Sequence, residues 1–265
     1  MTKSLINEWV AAAQMATAST DLTKKIISVI DLTSLNDTDD KAAIDALCTK
    51  ALTPLGQVAA VCVYPQFVQQ AKTKLLNTNI KVATVANFPQ GNATQQVVLA
   101  EIGQAVASGA DEVDVVIPYQ AYLANRAESV EFFLRNCKQA CGHAKLKVIL
   151  ETGALQAAEL IANACQDAIQ AGADFLKTST GKVAVGATLE AAAVMLLAIK
   201  NARSEGKSVG FKASGGIRTP EQAVSYISLA ELILGENWLS SATFRFGASG
   251  LLDALLAGEI NQSTY

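Results

Sequence analysis

Eight short apolar runs, each followed by a stretch with helical patterning, predict an α/β fold: a TIM (β/α)8 barrel with an extra N-terminal helix. Three observations carry that prediction. The approximate centres of the runs, at Val29, Val61, Val82, Val115, Ile149, Leu176, Phe211 and Phe246, mostly lie one βα unit apart. The runs read as apolar on both faces, as parallel strands covered by helices require. The phrase Gly-Ala-Asp occurs at Gly109 and again at Gly172, each time between a helical stretch and an apolar run, where glycine ends a helix.

A chain of 265 residues with 51% hydrophobic content suffices for one such barrel as a single domain, 1–265. Residues 1–20 hold the extra helix, and the polar stretch 258–265 reads as a tail free to move.

Taken in order, residues 5–18 pattern as an amphipathic helix, and the run 26–31, ending in Asp31, reads as the first strand. Asp39 and Asp40 open an Ala-rich helix to Ala51, with acids at the positive end of its dipole. Residues 53–56 break it, 58–63 form the next strand, and Tyr64-Pro65 turns the chain into a helix over 66–76. The strand 81–86 stops at Asn87-Phe88-Pro89 and is followed by a helix over 92–107; the strand 112–117 stops at Pro118 and leads into a mostly helical 119–144. The strand 146–150 ends in Glu151-Thr152-Gly153, and a helix over 155–170 precedes the run around Leu176. A helix over 188–203, a strand over 208–212 and a helix from Pro220 to Leu229 come next, Pro220 fitting a first helical turn. Residues 231–243 are a long connection before a last strand, 244–247, and a helix over 249–256.

The balance of 21 basic against 24 acidic residues, a formal charge of −3 without long runs of either sign, excludes the dense basic patch of a nucleic-acid or membrane-surface protein. Five cysteines and an N-terminus interrupted by Asn7 and Glu8 lead us to expect reduced thiols and a cytoplasmic location. The longest apolar run, 191–199, is far shorter than the roughly 18 residues of a membrane span. A homodimer is left open.

In a barrel of this kind chemistry sits where strands hand over to the following loops, so polar residues late in apolar runs are the candidates. They are Asp114, Glu151, Lys177 and Lys212. A free lysine titrates at about 10.4, whereas a nucleophilic one must work near 7 to 8. Burial and a neighbouring ammonium both push it down, so Lys177 with Lys212 on the next strand forms a coherent pair, and Asp114 would keep Lys212 charged. A buried Asp–Lys ion pair beside a second lysine that reaches the barrel mouth accounts for these residues equally well. Three glycine-rich turns, Thr180-Gly181-Lys182, Gly215-Gly216 with Arg218, and Gly247-Ala248-Ser249-Gly250, point to a phosphate site. Any one of them alone is explained by a tight turn. No Walker loop or dinucleotide fingerprint occurs. His143 is the sole histidine, which disfavours His-based metal or triad chemistry, and Cys137, Cys141 and His143 read as packing on one helix.

With these residues assembled, the chain resembles the 2-deoxyribose-5-phosphate aldolase family, class I aldolases built on this barrel. The resemblance spans nearly the whole length. It is carried by D-L-T-S-L from Asp31, V-C-V-Y-P from Val61, A-N-F-P-Q-G-N from Ala86 and G-A-D-E-V-D-V-V-I-P-Y from Gly109. It continues through L-K-V-I-L-E-T-G, A-G-A-D-F-L-K-T-S-T-G-K, G-F-K-A-S-G-G-I-R-T and F-R-F-G-A-S. It implies reversible cleavage of 2-deoxy-D-ribose 5-phosphate to acetaldehyde and D-glyceraldehyde 3-phosphate, with no metal or other cofactor. Matched position by position, Lys177 becomes the Schiff-base lysine, Lys212 its pKa-lowering neighbour and Asp114 a proton-relay carboxylate. Asp31, Thr33 and Cys62 match site-lining residues. Gly181, Lys182, Gly215, Gly216, Arg218 and Ser249 match the phosphate end. Gly250 departs from the Ser of some relatives, leaving only its backbone N–H to serve. Tyr265 corresponds to a C-terminal tyrosine implicated in proton transfer. The alternatives are another sugar-phosphate barrel, either a lysine aldolase for a different sugar or an isomerase, and a non-catalytic phosphosugar-binding barrel.

Overall fold

In the computed structural model, which describes residues 3–17, 20–124 and 128–262, two helices, α1 (Lys3–Gln14) and α2 (Thr20–Ile27), precede the first strand, β1 (Ile30–Thr33). α3 (Lys41–Lys50) leads through a small hairpin, β2 (Leu52–Thr53) and β3 (Gly56–Gln57), to β4 (Ala60–Cys62). Helix and strand then alternate: α4 (Val68–Lys74) and β5 (Lys81–Ala86), then α5 (Gln95–Ala107) and β6 (Glu112–Val116). α6 (Tyr119–Leu123) and α7 (Glu128–Cys141) lead to β7 (Lys145–Ile149), and α8 (Thr152–Leu155) and α9 (Ala158–Gln170) lead to β8 (Phe175–Lys177). α10 (Leu189–Ser204), β9 (Gly210–Ser214), α11 (Pro220–Leu234), β10 (Phe244–Ala248) and α12 (Leu251–Gln262) complete the order. The parallel strands close into a barrel in the order β1-β10-β9-β8-β7-β6-β5-β4, as the alternation predicts.

Local chemistry sets the boundaries. Asp40 caps α3 by accepting from the Ala43 N–H at 2.8 Å. Pro220 opens α11 behind a reciprocal Thr219–Gln222 capping box. The two Gly-Ala-Asp phrases perform one job twice. Asp111 accepts from the Val82 backbone N–H and pairs with Lys72, and Asp174 accepts from the Leu146 N–H and pairs with Lys138. Each glycine, at φ 96° and 90°, ends its helix in the left-handed region, close under the stem of the paired lysine.

The structure departs from the sequence expectation in three places. Ile26 and Ile27 belong to α2, not to a strand; Leu22 and Ile26 share a helical face, both isoleucines are buried, and Lys25 anchors the helix to Glu231 at 2.7 Å. The helix expected over 155–170 is split at Gln156, whose φ is 56°. The stretch 119–144 is mostly helical as expected, its described residues forming α6 and α7. Most important for function, the strands are not apolar on both faces. Outward positions such as Ile30, Leu32, Val113, Val115, Leu146, Val148, Phe244 and Phe246 join the main core beneath the helices. The intervening positions, among them Asp31, Glu112, Asp114, Lys147, Lys177, Lys212 and Arg245, are buried and ion-paired to one another across the barrel. All five cysteines are buried free thiols. Among the described residues no helix is long and apolar enough to cross a membrane.

Candidate active site

The period of two along each strand sends alternate residues inward, and six strands each contribute at least one charge to the barrel interior. β6 supplies Glu112 and Asp114, β7 Lys147, β8 Lys177, β9 Lys212, β10 Arg245 and β1 Asp31. Asp114 is the hub. Its Oδ2 accepts from Lys177 Nζ and from Lys212 Nζ, both at 2.8 Å, and its Oδ1 accepts from Lys147 Nζ at 3.0 Å. Lys212 Nζ also donates to Asp31 Oδ2 at 2.6 Å. Arg245 donates to Asp31 and, at 2.8 Å, to Glu112, which in turn pairs with Lys147. Three carboxylates thus face four cations in a space closed to water, so one cation is in excess.

The surplus falls on Lys177. Burial pushes its ammonium down, Asp114 pulls it back up, and the Lys212 charge lowers it again, leaving a net depression below the ordinary 10.5. Lys212 is buried to the same degree, but Asp114 and Asp31 both face it and hold it above the ordinary lysine range. For Asp114, burial favours the neutral acid; Lys147, Lys177 and Lys212 outweigh that and keep it ionised well below the usual carboxylate range. The register places Lys177 directly beside Lys212 on neighbouring strands, as the sequence suggested. Two lysines sharing one carboxylate are thereby driven in opposite directions, one toward free amine and one toward permanent ammonium.

Above this layer, a cavity of ≈ 560 Å³ opens where the loops leave β1, β8, β9 and β10. Thr33, Thr180, Gly181 and Lys182 line one part, and Gly215, Gly216, Arg218, Ser249 and Gly250 another. Lys50, not anticipated from the sequence, joins them, paired to Asp253 at 2.7 Å. Among the described residues no carboxylate lines the cavity, and the N-terminus of α12 begins at its edge, so the field favours an anion. A second cavity, ≈ 620 Å³, lies between α1, α8 and the start of α10; it is lined by Ile6, Ile161, Val185 and Val194, holds no cation and takes no part in this arrangement. Leu35, Cys62, Ala83 and Val85 form a small apolar cluster of their own, flanked by Tyr64 and Phe88. The Cys62 thiol is pushed up by burial and feels the Lys212 and Lys177 charges, which places this apolar wall beside the lysine pair.

Beside the lysine layer, Gly247 is dictated by close approach. A Cβ on Gly247 would stand 2.7 Å from Ser214 Oγ and 3.0 Å from Lys212 Cε, so the lysine stem runs through the space a side chain would take. Gly247→Ala is expected to displace Lys212, lowering both turnover and stability, the latter by about 1–3 kcal/mol. Urea unfolding and steady-state rates measured together check it; unchanged values for both would refute the assignment of that space.

The structure brings together Lys177, Lys212 and Asp114, and separately gathers the glycine-rich turns with Thr33. Asp31 sits within the ion-pair layer, its oxygens occupied by Lys212 and Arg245, and does not line the cavity. Tyr265 lies outside the described residues. Lys147, Glu112 and Arg245 escaped the sequence reading, although Lys147 and Arg245 each stand between outward apolar neighbours at a period of two, the signal that identified Lys177; Glu112, preceded by Asp111, passes for the polar start of a strand.

Comparison with known proteins agrees with this geometry. A structure from Coccidioides immitis assigned as a deoxyribose-phosphate aldolase is 29% identical over 98% of both chains, with a TM-score of 0.79. An aldolase named QR15 is 29% identical, covering 89% of this chain and 98% of its own, with a TM-score of 0.75. The tetrameric deoxyribose phosphate aldolase of Aeropyrum pernix, at 24% identity over 96% of this chain and 97% of its own, shares the fold with a TM-score of 0.74. The DeoC/LacD family aldolase model matches residues 25–254, which take in every barrel strand and the whole lysine–carboxylate layer, and the chain belongs to that family of aldolases.

Proposed function

We propose that the protein is a class I aldolase that reversibly cleaves 2-deoxy-D-ribose 5-phosphate to acetaldehyde and D-glyceraldehyde 3-phosphate, with Lys177 as the Schiff-base lysine. The observation that carries this reading is the shared Asp114 Oδ2, which two lysines of opposite pKa shift approach at 2.8 Å. Lys177 Nζ, as free amine, adds to the C1 carbonyl of the open-chain sugar. Lys212, held protonated, gives a proton to the carbinolamine hydroxyl, which leaves as water, and a protonated imine remains. The electron pair of the C2–C3 bond then becomes the C1=C2 bond as the imine π pair moves to nitrogen, forming an enamine, while Asp114 takes the proton of the C3 hydroxyl and C3 becomes the aldehyde of the departing triose phosphate. The enamine takes at C2 the proton held by Asp114, water adds to the resulting imine and gives a proton back to Lys212, and collapse of the carbinolamine releases acetaldehyde and frees Lys177.

The anion-favouring cavity supports a phosphate at the far end of the substrate, bound by Lys182, Arg218 and the backbone N–H groups around Gly215, Gly216, Ser249 and Gly250. The apolar cluster around Cys62 supports a two-carbon fragment at the near end. Treatment with acetaldehyde and borohydride is expected to inactivate the enzyme and leave one ethyl group on Lys177, read by peptide mass mapping. An ethyl group found on Lys147 or Lys212, or no modification, would sink the assignment.

A further inference from the structure

Glu151 takes no part in the mechanism above, yet it is buried and hydrogen-bonded at the barrel mouth. It lies just past β7, at the N-cap of α8, as a non-glycine residue in the left-handed region, φ 55° and ψ 58°, a conformation that persists only where the surrounding structure enforces it. Both of its neighbours stitch the end of β7 to the end of β8: Leu150 N donates to Lys177 O and Thr152 N to Thr178 O, each at 2.9 Å. The carboxylate, fully buried, does not line the cavity. It is spent on Thr180, whose hydroxyl donates to Glu151 Oε2 at 2.5 Å while its backbone N–H reaches the two oxygens at 3.3 and 3.4 Å. Because the hydroxyl proton is committed to Glu151, a lone pair of Thr180 Oγ1 is left for the Lys182 N–H at 3.1 Å. A relay therefore runs from Glu151 through Thr180 to Lys182 and fixes the turn around Gly181. Burial disfavours the charged form of Glu151, and the Thr180 donors and the Lys177 charge oppose that.

We propose that Glu151 is a positioning residue for the phosphate end: its buried carboxylate sets the Thr180–Lys182 turn, and the preference of the enzyme for a phosphorylated over an unphosphorylated sugar depends on it. The inference rests on the proposed function, which places the substrate phosphate against that turn. Without the carboxylate, the Thr180 hydroxyl is free to rotate, its buried N–H loses its acceptor, and Lys182 N loses a defined partner.

The test compares 2-deoxyribose 5-phosphate with 2-deoxyribose as substrates of the full-length enzyme. Glu151→Ala is expected to raise KM for the phosphorylated sugar about tenfold and to leave kcat and KM for 2-deoxyribose within about twofold. Glu151→Gln keeps one acceptor oxygen for Thr180 and is expected to fall between Glu151→Ala and wild type. Thr180→Val removes the same hydrogen bond from the other side, and the double variant with Glu151→Ala should raise KM for the phosphorylated sugar no further than Glu151→Ala alone. Equal losses on both sugars, or a phosphate preference retained in Glu151→Ala and Thr180→Val, would overturn the inference alone. A wild-type enzyme with the same KM for both sugars would overturn the reading of the phosphate end, and the inference with it.

Discussion

Lys177→Met is expected to lower turnover by at least about 10⁴-fold while leaving the protein at least as stable as the wild type at neutral pH. The first part follows from the loss of the only lysine in the barrel interior whose amine is driven toward the neutral form. Neither Lys212 nor Lys147 can substitute, since facing carboxylates hold both above the ordinary lysine range. The second part follows from the charge balance. Removing the odd cation leaves three carboxylates and three cations, and Asp114 keeps its bonds to Lys147 and Lys212. The sign of the pH effect is also fixed. Because the folded-state pKa of Lys177 lies below its ordinary 10.5, the unfolded chain binds that proton more readily between the two values, and wild-type stability rises with pH across that window. The variant lacks this contribution, so its advantage over wild type should be greatest on the acid side and should shrink as pH rises toward 10.5. Urea midpoints at several pH values check the slope. A variant markedly less stable than wild type at neutral pH would mean that Lys177 is held as a structural ion-pair partner of Asp114 and not as a strained amine.

The barrel was legible because its outward face obeys a simple rule: Val, Ile, Leu and Phe at every second strand position, with Gly-Ala-Asp marking two of the returns to a strand. Lys177 and Lys212 stood out because each interrupts an apolar run near its end. Lys147 did not, since K-L-K-V-I begins with a lysine and its second lysine passes for the polar edge of a strand, although the first is half-buried and the second wholly so. Arg245 was hidden in the same way, flanked by Phe244 and Phe246, where the aromatic pair signals a strand and masks the buried guanidinium between them. The misplacement of Ile26 and Ile27 has a different cause: a short apolar run has no period of its own, and only with Leu22 and Ile26 on one helical face, both isoleucines buried, does the helix show. The glycine-rich turns could be read as an anion site from three sequence positions far apart, but the absence of carboxylates from the cavity and the presence of Lys50 depend on how the loops converge. The relay from Glu151 through Thr180 likewise joins two loops whose neighbourhood only the closed barrel creates.

Lys212→Met should produce the opposite combination to Lys177→Met, with stability and pH dependence both disturbed. Lys212 bridges Asp31 and Asp114 at 2.6 and 2.8 Å in a region closed to solvent, and stripping a buried ion pair of one partner costs about 3–5 kcal/mol. Asp31 would retain Arg245 and a more distant Lys147, and Asp114 would retain Lys147 and Lys177, so the barrel should still close. The catalytic consequence follows from the same geometry. Lys177 loses the like charge that lowers it and keeps the carboxylate that raises it, so its pKa moves up. Turnover at neutral pH is then expected to fall about 10²–10³-fold, because less of Lys177 is free amine and the proton donor for dehydration is gone. The rising limb of the pH–rate profile, which in the proposed mechanism reports deprotonation of Lys177, should shift to higher pH, and part of the lost activity should return in alkaline buffer. Borohydride trapping of acetaldehyde should show the same displacement, since it reads amine availability without the cleavage step. A uniform loss of rate with the limb unmoved would show that Lys212 serves only as a proton donor and that burial alone sets the Lys177 amine; a displaced limb identifies the ammonium on the neighbouring strand as what keeps Lys177 nucleophilic.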